Sequence, residues 1–429
     1  MRTARRWIQQ TTGGLPRQFW YLWATTLINR VGSFVLIVLA IYLTQFRGLS
    51  ESFAGLVIGL WGAGAAVGTL VGGVLADRWG RKPTVLAALY GSAGSMLVLG
   101  FVETPTALAI ASALTGLIGE AFRPAASALM VDIVPSTDRT RAFSLNYWAI
   151  NLGFSCAALL AGLLVGLDMR LLFLLDAVTT AAAATWVALT VDEPVRSVPV
   201  AAAQGKPSSV DSGGGLLAVL RDRVFLAFAG INLLTAVVFL QHISTLPMTM
   251  LHDGLPASTY GRVIALNGIL IVVGQIFVTR LLERLDRTTA LAVSALVIGV
   301  GFGLTAFAHA PILYAVTVLV WTTGEMLQAP SLATTLAALS PADMRGRYSG
   351  VFSLSWSAAS FVAPILGAAV LEHAGKRVLW LGCLAVCLVA GTLTLAARTA
   401  RERRAAALAT PVADASRRAD EAEPAAVAG

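Results

Sequence analysis

Arg30, Glu120, Arg123, His242 and Glu325 are ionisable side chains set inside long apolar runs. A charge at the centre of a lipid-spanning helix costs roughly 2.5–3.5 kcal/mol on insertion scales, so such groups face a protein interior or a wet path and mark ion routes or proton relays. Glu120 and Arg123, three apart, share one helix face and can neutralise each other. A permanent structural pair, joined by Arg30, is the competing reading. Asn29 lies beside Arg30 at a similar depth. Glu325 has Gln328 where a basic partner would stand, so it is the carboxyl expected to stay unpaired and to load and release a proton. His242, toward the outer part of its run with Gln241 and Pro247, reads as a functional group or as part of a kinked span whose freed backbone groups need partners. Asp176 is expected in a packing network with Asp168 and Arg170 at the outer end of its run.

The elements that carry these groups follow from composition. The 429 residues are 57% hydrophobic and 13% charged, with mean hydropathy +0.76, far from the roughly 25% charged usage of soluble domains. Twelve apolar runs are long enough to cross a bilayer: 18–45, 52–76, 84–102, 106–133, 142–165, 171–191, 224–250, 257–282, 288–308, 311–339, 348–371 and 378–397. They are continuous rather than alternating, which argues against barrel strands. An all-α polytopic membrane protein is therefore expected.

An even number of spans puts both termini on one side. Of the 31 Lys and Arg residues, 24 fall on that side, 5 on the other, and Arg30 and Arg123 lie inside runs. This bias places both termini in the cytoplasm and the chain in the cell membrane. Spread over every inner loop, the basic residues are topological signals, so no nucleic-acid partner is expected despite a net charge of +8. The first apolar segment is too long for a signal peptide and no cleavage site follows. Cys156, Cys383 and Cys387 read as packing residues, and the four histidines are dispersed, so no metal and no cofactor is expected. Without an H-E-x-x-H, dinucleotide or Walker sequence, the chain does not read as an enzyme or an ATP-driven pump.

The second run ends abruptly in "GGVLADRWGRKP", Gly72 to Pro83. Gly80 suits a tight reversal and Pro83 the opening of the next helix. Asp77 can pair with Arg81 or face a helix N-terminus. Further on, "GEAFRPAASALMVDIVPSTDRTRAF" from Gly119 returns 205 residues later as "GEMLQAPSLATTLAALSPADMRGRYSG" from Gly324, with the prolines and the Arg-x-Arg loop at an almost constant offset. The chain is a duplicated six-helix unit whose parallel halves face the same way.

With these features the sequence resembles the major facilitator superfamily, and within it the twelve-helix drug:proton antiporters. Gly73, Asp77, Arg78, Gly80, Arg81 and Lys82 match that superfamily's signature between helices 2 and 3. A second copy, "GQIFVTRLLERLDR" from Gly274, is degraded, and helix 5 keeps Gly153 and Gly162 of the antiporter glycine pattern without its proline. The resemblance implies two pseudo-symmetric six-helix bundles with helices 1, 4, 7 and 10 lining a central cavity. It also implies that Asp77, Arg81 and the acid at the inner end of helix 4, here Asp132, close the inner gate. The expected division is a cytoplasmic N-terminus (1–17), a first bundle (18–191), a cytoplasmic linker (192–223), a second bundle (224–398) and a disordered cytoplasmic tail (399–429). The expected activity is secondary active transport by alternating access, namely proton-coupled efflux of small hydrophobic or amphipathic compounds. A metabolite uptake symporter or facilitator is the alternative. Partners are then a small-molecule substrate, protons and the lipid bilayer, and a monomer is expected. Trp20, Trp23, Tyr42, Trp61, Trp148, Trp321 and Trp356 would line the cavity or form interface belts.

Overall fold

A backbone in hydrocarbon must satisfy its own amides, so the apolar runs can only close into helices. The computed structural model describes residues 13–166, 168–193, 216–282, 285–341 and 344–408, and no strand occurs among them. Span 1 comprises Arg17–Val31 and Phe34–Ile41, followed by a π turn at Tyr42–Phe46. Spans 2 and 3 are Glu51–Trp79 and Arg81–Phe101. Span 4 comprises Pro105–Glu120 and Phe122–Ile133, and spans 5 and 6 are Arg139–Leu164 and Met169–Thr190. In the second half, span 7 comprises Arg223–Phe239 and Gln241–His252, and spans 8, 9 and 10 are Ala257–Leu282, Arg287–Leu304 and Pro311–Leu339. Spans 11 and 12 run together as Arg345–Ala396, reversing at Gly375 (φ 83°, ψ 171°) with no intervening loop. This left-handed backbone is one that glycine adopts without a Cβ penalty.

Spans 1 and 4, read as unbroken apolar runs, and span 7, for which a kink was one reading, are each broken near the middle of their length. At Gly32 and Ser33 the amide of Phe34 turns back to the Gly32 carbonyl at 2.8 Å, and Ser33 donates its hydroxyl to the Asn29 carbonyl at 2.8 Å. Span 4 breaks at Ala121, where Pro124 can supply no amide to the Glu120 carbonyl one turn back. Span 7 breaks at Leu240, and Gln241 repairs the gap by donating its amide to the carbonyls of Val237 (3.1 Å) and Ala363 (2.9 Å). The kinked reading of Gln241 therefore holds.

The two six-helix bundles meet mainly in the half of the structure away from the chain ends. There, spans 2 and 11 approach backbone to backbone, and a Cβ on Gly62 would lie 2.4 Å from the Ser360 carbonyl oxygen. Spans 5 and 8 do the same at Gly261, 2.4 Å from the Ala158 carbonyl. The second half of span 1, buried at every position of Phe34–Ile41 except Leu36, joins Leu246, Met248 and Met250 of span 7 in one apolar cluster. At the rim Glu51 pairs with His252, and Glu372 accepts the Ser52 amide at 2.6 Å. The terminal-side segments Arg17–Val31 and Arg223–Phe239 pack within their own bundles, so the bundles part toward the chain ends.

Both ends of the described chain lie by the linker. Gln18 donates to Asp192 at 2.8 Å, and Arg404 to Asp222 at 3.1 Å. The disorder expected from residue 399 is corrected in part, because residues 398–408 are helical. Two guanidiniums three apart hold that segment: Arg401, buried, donates to Thr288 and to the Thr394 carbonyl, and Arg404 reaches Asp222 and Tyr348. Residues 409–429, most of the linker and the side chains of the degraded second motif lie outside the described residues; Leu216–Arg221 at the linker's end is a short helix.

Candidate functional site

Arg30, Glu120, Arg123 and His242 lie where spans 1, 4 and 7 break, and Glu325 lies within the unbroken span 10. In the first bundle, Glu120 ends the first segment of span 4 and Arg123 begins the second, with 3.5 Å between Arg123 Nη1 and Glu120 Oε2. The Arg123 side chain is 65% exposed and that of Glu120 15%, so the pair is loose and one-sided. Arg30, at the end of the first segment of span 1, lies within electrostatic reach of Glu120, Arg123 and Asp176, while its buried Nε has no hydrogen-bond partner. Gly153 allows this approach: a Cβ there would stand 2.5 Å from the Arg30 Cβ. Asn29 donates to Thr180 Oγ1 at 3.4 Å.

Asp176 departs from its expected place. Asp168 instead caps span 6, accepting the Arg170 amide at 2.8 Å. Asp176 lies two turns further in, where its carboxylate accepts the Val35 amide at 3.1 Å and the Thr180 hydroxyl at 3.4 Å. The break in span 1 leaves amides without partners, and a carboxylate on span 6 fills the role of an N-cap. A periodicity reading of span 6 alone has no access to that need.

In the second bundle, Glu325 does not stand alone. Asn267 of span 8 donates to Glu325 Oε2 at 2.7 Å and to Thr322 Oγ1 at 3.1 Å. Tyr147 of span 5 brings the first bundle into electrostatic reach of the same carboxylate. Asn267 was missed by the sequence reading, although its signal, a side-chain amide in the middle of the apolar span 8, is present. Gln328, one turn on, is buried and borders a small cavity with Asn232 and Arg401.

His242 sits just past the break in span 7. Its Nδ1–H donates to the Phe239 carbonyl at 2.6 Å, and its ring packs 4.7 Å from Phe239 and 5.5 Å from Trp321. Trp321 is fully buried and stacks on Phe302 at 5.4 Å, whereas Trp148 is 41% exposed. Trp23 donates to the Leu145 carbonyl at 2.8 Å.

At the terminal face the signature forms a compact junction. Gly80 adopts φ 113°, ψ 161°, and a Cβ there would lie 2.5 Å from Glu193 Oε1. Glu193, another residue the sequence reading passed over, accepts the amides of Arg81 (2.9 Å) and Lys82 (2.7 Å), capping span 3. Lys82 Nζ donates to the Ala188 carbonyl at 3.0 Å, tying span 3 to the end of span 6. Arg81 Nε stands 2.6 Å from Asp132 Oδ2 at the end of span 4. Gly73 faces Pro124, and Asp77 and Arg78 close span 2.

The comparisons with known proteins agree with this architecture. The family profile of the Major Facilitator Superfamily matches residues 22–364. The chain is 27% identical over 365 residues to YqjV, an MFS-type transporter of Bacillus subtilis (strain 168), spanning 83% of this chain and 87% of the relative. It is 23% identical over 355 residues to a Na(+), Li(+), K(+)/H(+) antiporter of Planococcus maritimus, spanning 76% and 83%. Among solved structures, a POT family transporter in complex with a thioalcohol-conjugated peptide shares the fold with a TM-score of 0.76 at 13% identity, over 92% of this chain and 98% of that one. Among the described residues, twelve spans in two bundles, with breaks in spans 1, 4 and 7 and ionisable groups on spans 1, 4, 7 and 10, and a profile match over most of the length lead to one statement: the chain belongs to the major facilitator superfamily of membrane transporters.

Proposed function

We propose that the chain is a proton-coupled exporter of small hydrophobic or amphipathic compounds, with both termini in the cytoplasm. The observation that carries this reading is Glu325, a carboxylate within a span, held by the Asn267 amide at 2.7 Å and within electrostatic reach of Tyr147 of the other bundle. A carboxylate so placed gains or loses a proton at large electrostatic cost or benefit, which is how a proton gradient is converted into a preference between conformations. The relative whose name includes H(+) exchange supports antiport.

In the proposed cycle, substrate enters the cleft from the cytoplasm and lies against apolar and aromatic walls. The bundles then rock about the contacts between spans 2 and 11 and between spans 5 and 8, and substrate leaves as Glu325 or Glu120 takes a proton. Arg30 and Arg123 bias those carboxylates, and Asn29 and His242 border the same path. Asp77, Arg81 and Asp132 act at the inner gate.

Reconstitution into proteoliposomes with an imposed pH gradient tests the reading. Uphill movement of a hydrophobic cation or dye toward the acidic side, collapsing with an uncoupler, is expected. Accumulation in the direction of uptake would instead select a symporter or facilitator.

A further inference from the structure

Asp176 is the buried acid among the described residues, at 2% exposure, and the cycle above gives it no part. It stands between two structures that must communicate. On one side is the cleft: Arg30 is the charged side chain acting on Asp176, and Glu120 and Arg123 act in turn on Arg30. On the other side is the seal formed by the second half of span 1 against span 7. The first helical turn of that half-span has weak local capping. Ser33, its N-cap, sends its hydroxyl backward to the Asn29 carbonyl and makes no cap bond forward. The Val35 amide goes instead to Asp176 Oδ2 at 3.1 Å. Span 6 also fits the break closely, since a Cβ on Gly32 would overlap the Thr179 side chain.

We infer that Asp176 is a positioning residue for transport, whose carboxylate holds the break in span 1 and relays the charge state of the cleft to the seal on the opposite face. The inference rests on the transport reading above. Arg30 has two carboxylates acting on it and an unpartnered Nε, so its guanidinium is not locked to either. With Glu120 charged, Arg30 is shared and Asp176 stays on the Val35 amide. When Glu120 takes a proton or is engaged by substrate, Asp176 becomes the remaining countercharge for Arg30. The guanidinium then competes with the amide for the carboxylate oxygens, and the capped half-span loosens from span 7. A neutral acid or amide at position 176 would also cap less well, because the half-helix dipole favours a full negative charge at its N-terminus.

The test is a labelling cycle in full-length protein with Cys156, Cys383 and Cys387 replaced. A reporter cysteine replaces Met248, which is 1% exposed at the seal and borders a cavity of about 500 Å³ near the rim. Labelling by a thiol reagent is measured at fixed pH without substrate or gradient, so the outcome is independent of whether transport is proton-driven. Expected results are slow labelling in the reporter protein, roughly tenfold faster labelling with Glu120→Gln, similarly fast labelling with Asp176→Asn, and no further gain in the double variant. Labelling of Asp176→Asn at the parent rate, or additive effects of the two changes, would overturn the inference. If Asp176→Asn does not fold, Arg30→Gln takes its place in the cycle: Glu120→Gln must then accelerate labelling with Arg30 present and not without it. A protein that passes this cycle yet shows no gradient-driven transport would separate the two readings, leaving the relay and removing proton coupling.

Discussion

Arg81 Nε and Asp132 Oδ2 stand 2.6 Å apart, joining the loop after span 2 to the end of span 4. Both side chains are about a quarter exposed, so the pair is partly screened and worth on the order of 1 kcal/mol. Arg81→Ala and Asp132→Asn are expected to slow transport roughly fivefold to tenfold with little loss of membrane expression, and the charge-swapped double variant should recover part of the rate. Initial rates in proteoliposomes, normalised to protein, check this. Unchanged rates in both single variants would remove the pair from the gate.

Glu193 accepts two adjacent amides at the start of span 3. Glu193→Ala should cost about 1 kcal/mol, as other lost N-caps do. Gly80→Ala should cost more, because it combines a positive-φ backbone with a Cβ that would press on Glu193. Thermal unfolding of the detergent-purified protein reads both, and the expected order is wild type, Glu193→Ala, Gly80→Ala.

Glu325→Gln removes the titrating group and leaves a side chain of similar shape beside Asn267. Transport driven by a pH gradient is expected to fall at least tenfold, while downhill exchange of substrate persists. A variant that still concentrates substrate in response to the gradient shows that another carboxylate carries the proton. Asn267→Leu removes the hydrogen bond and should alter the pH profile without abolishing transport.

Asp222 offers a pH test outside the membrane. Burial by itself favours its neutral form, but the Phe225 amide at 3.0 Å, the Tyr348 hydroxyl at 2.9 Å and the Arg404 guanidinium outweigh it and hold the carboxyl below its usual range. A lowered native pKa contributes stability above the unfolded value of about 4, and that stability is lost as pH falls through the native value. Arg404→Ala should therefore lower stability by about 0.5–1 kcal/mol near pH 7, with the difference from wild type fading below pH of about 4. A difference that persists unchanged in acid would assign the contact to packing rather than charge.

Much of this architecture is written in linear patterns. Long apolar runs, the repeat linking Gly119 to Gly324, and the Gly73-to-Lys82 signature are local or periodic, and each maps onto a span or loop of the fold. The breaks differ in how legible they were: a kink in span 7 was one reading of Gln241 and Pro247, and Pro124 accounts locally for the break at Ala121. The break at Gly32 was not legible, because the Val35 amide it frees is accepted by Asp176, 141 residues away on span 6. Glu325 illustrates the same divide: its depth is visible from hydropathy, but its partner Asn267 lies 58 residues away on another helix.

The class of protein, its crossings, its duplication and the charges it commits to the membrane can all be read along the chain, because hydrophobic length and spacing are linear properties. Beyond the pairings expected from sequence, which of those charges meet follows from packing alone: Arg30 comes within electrostatic reach of both Glu120 and Asp176, and Glu325 is held by Asn267. Pairings of this kind depend on how helices far apart in sequence are tilted, broken and pressed together, and a polar group in an apolar medium is drawn to whichever partner that packing brings within hydrogen-bond distance.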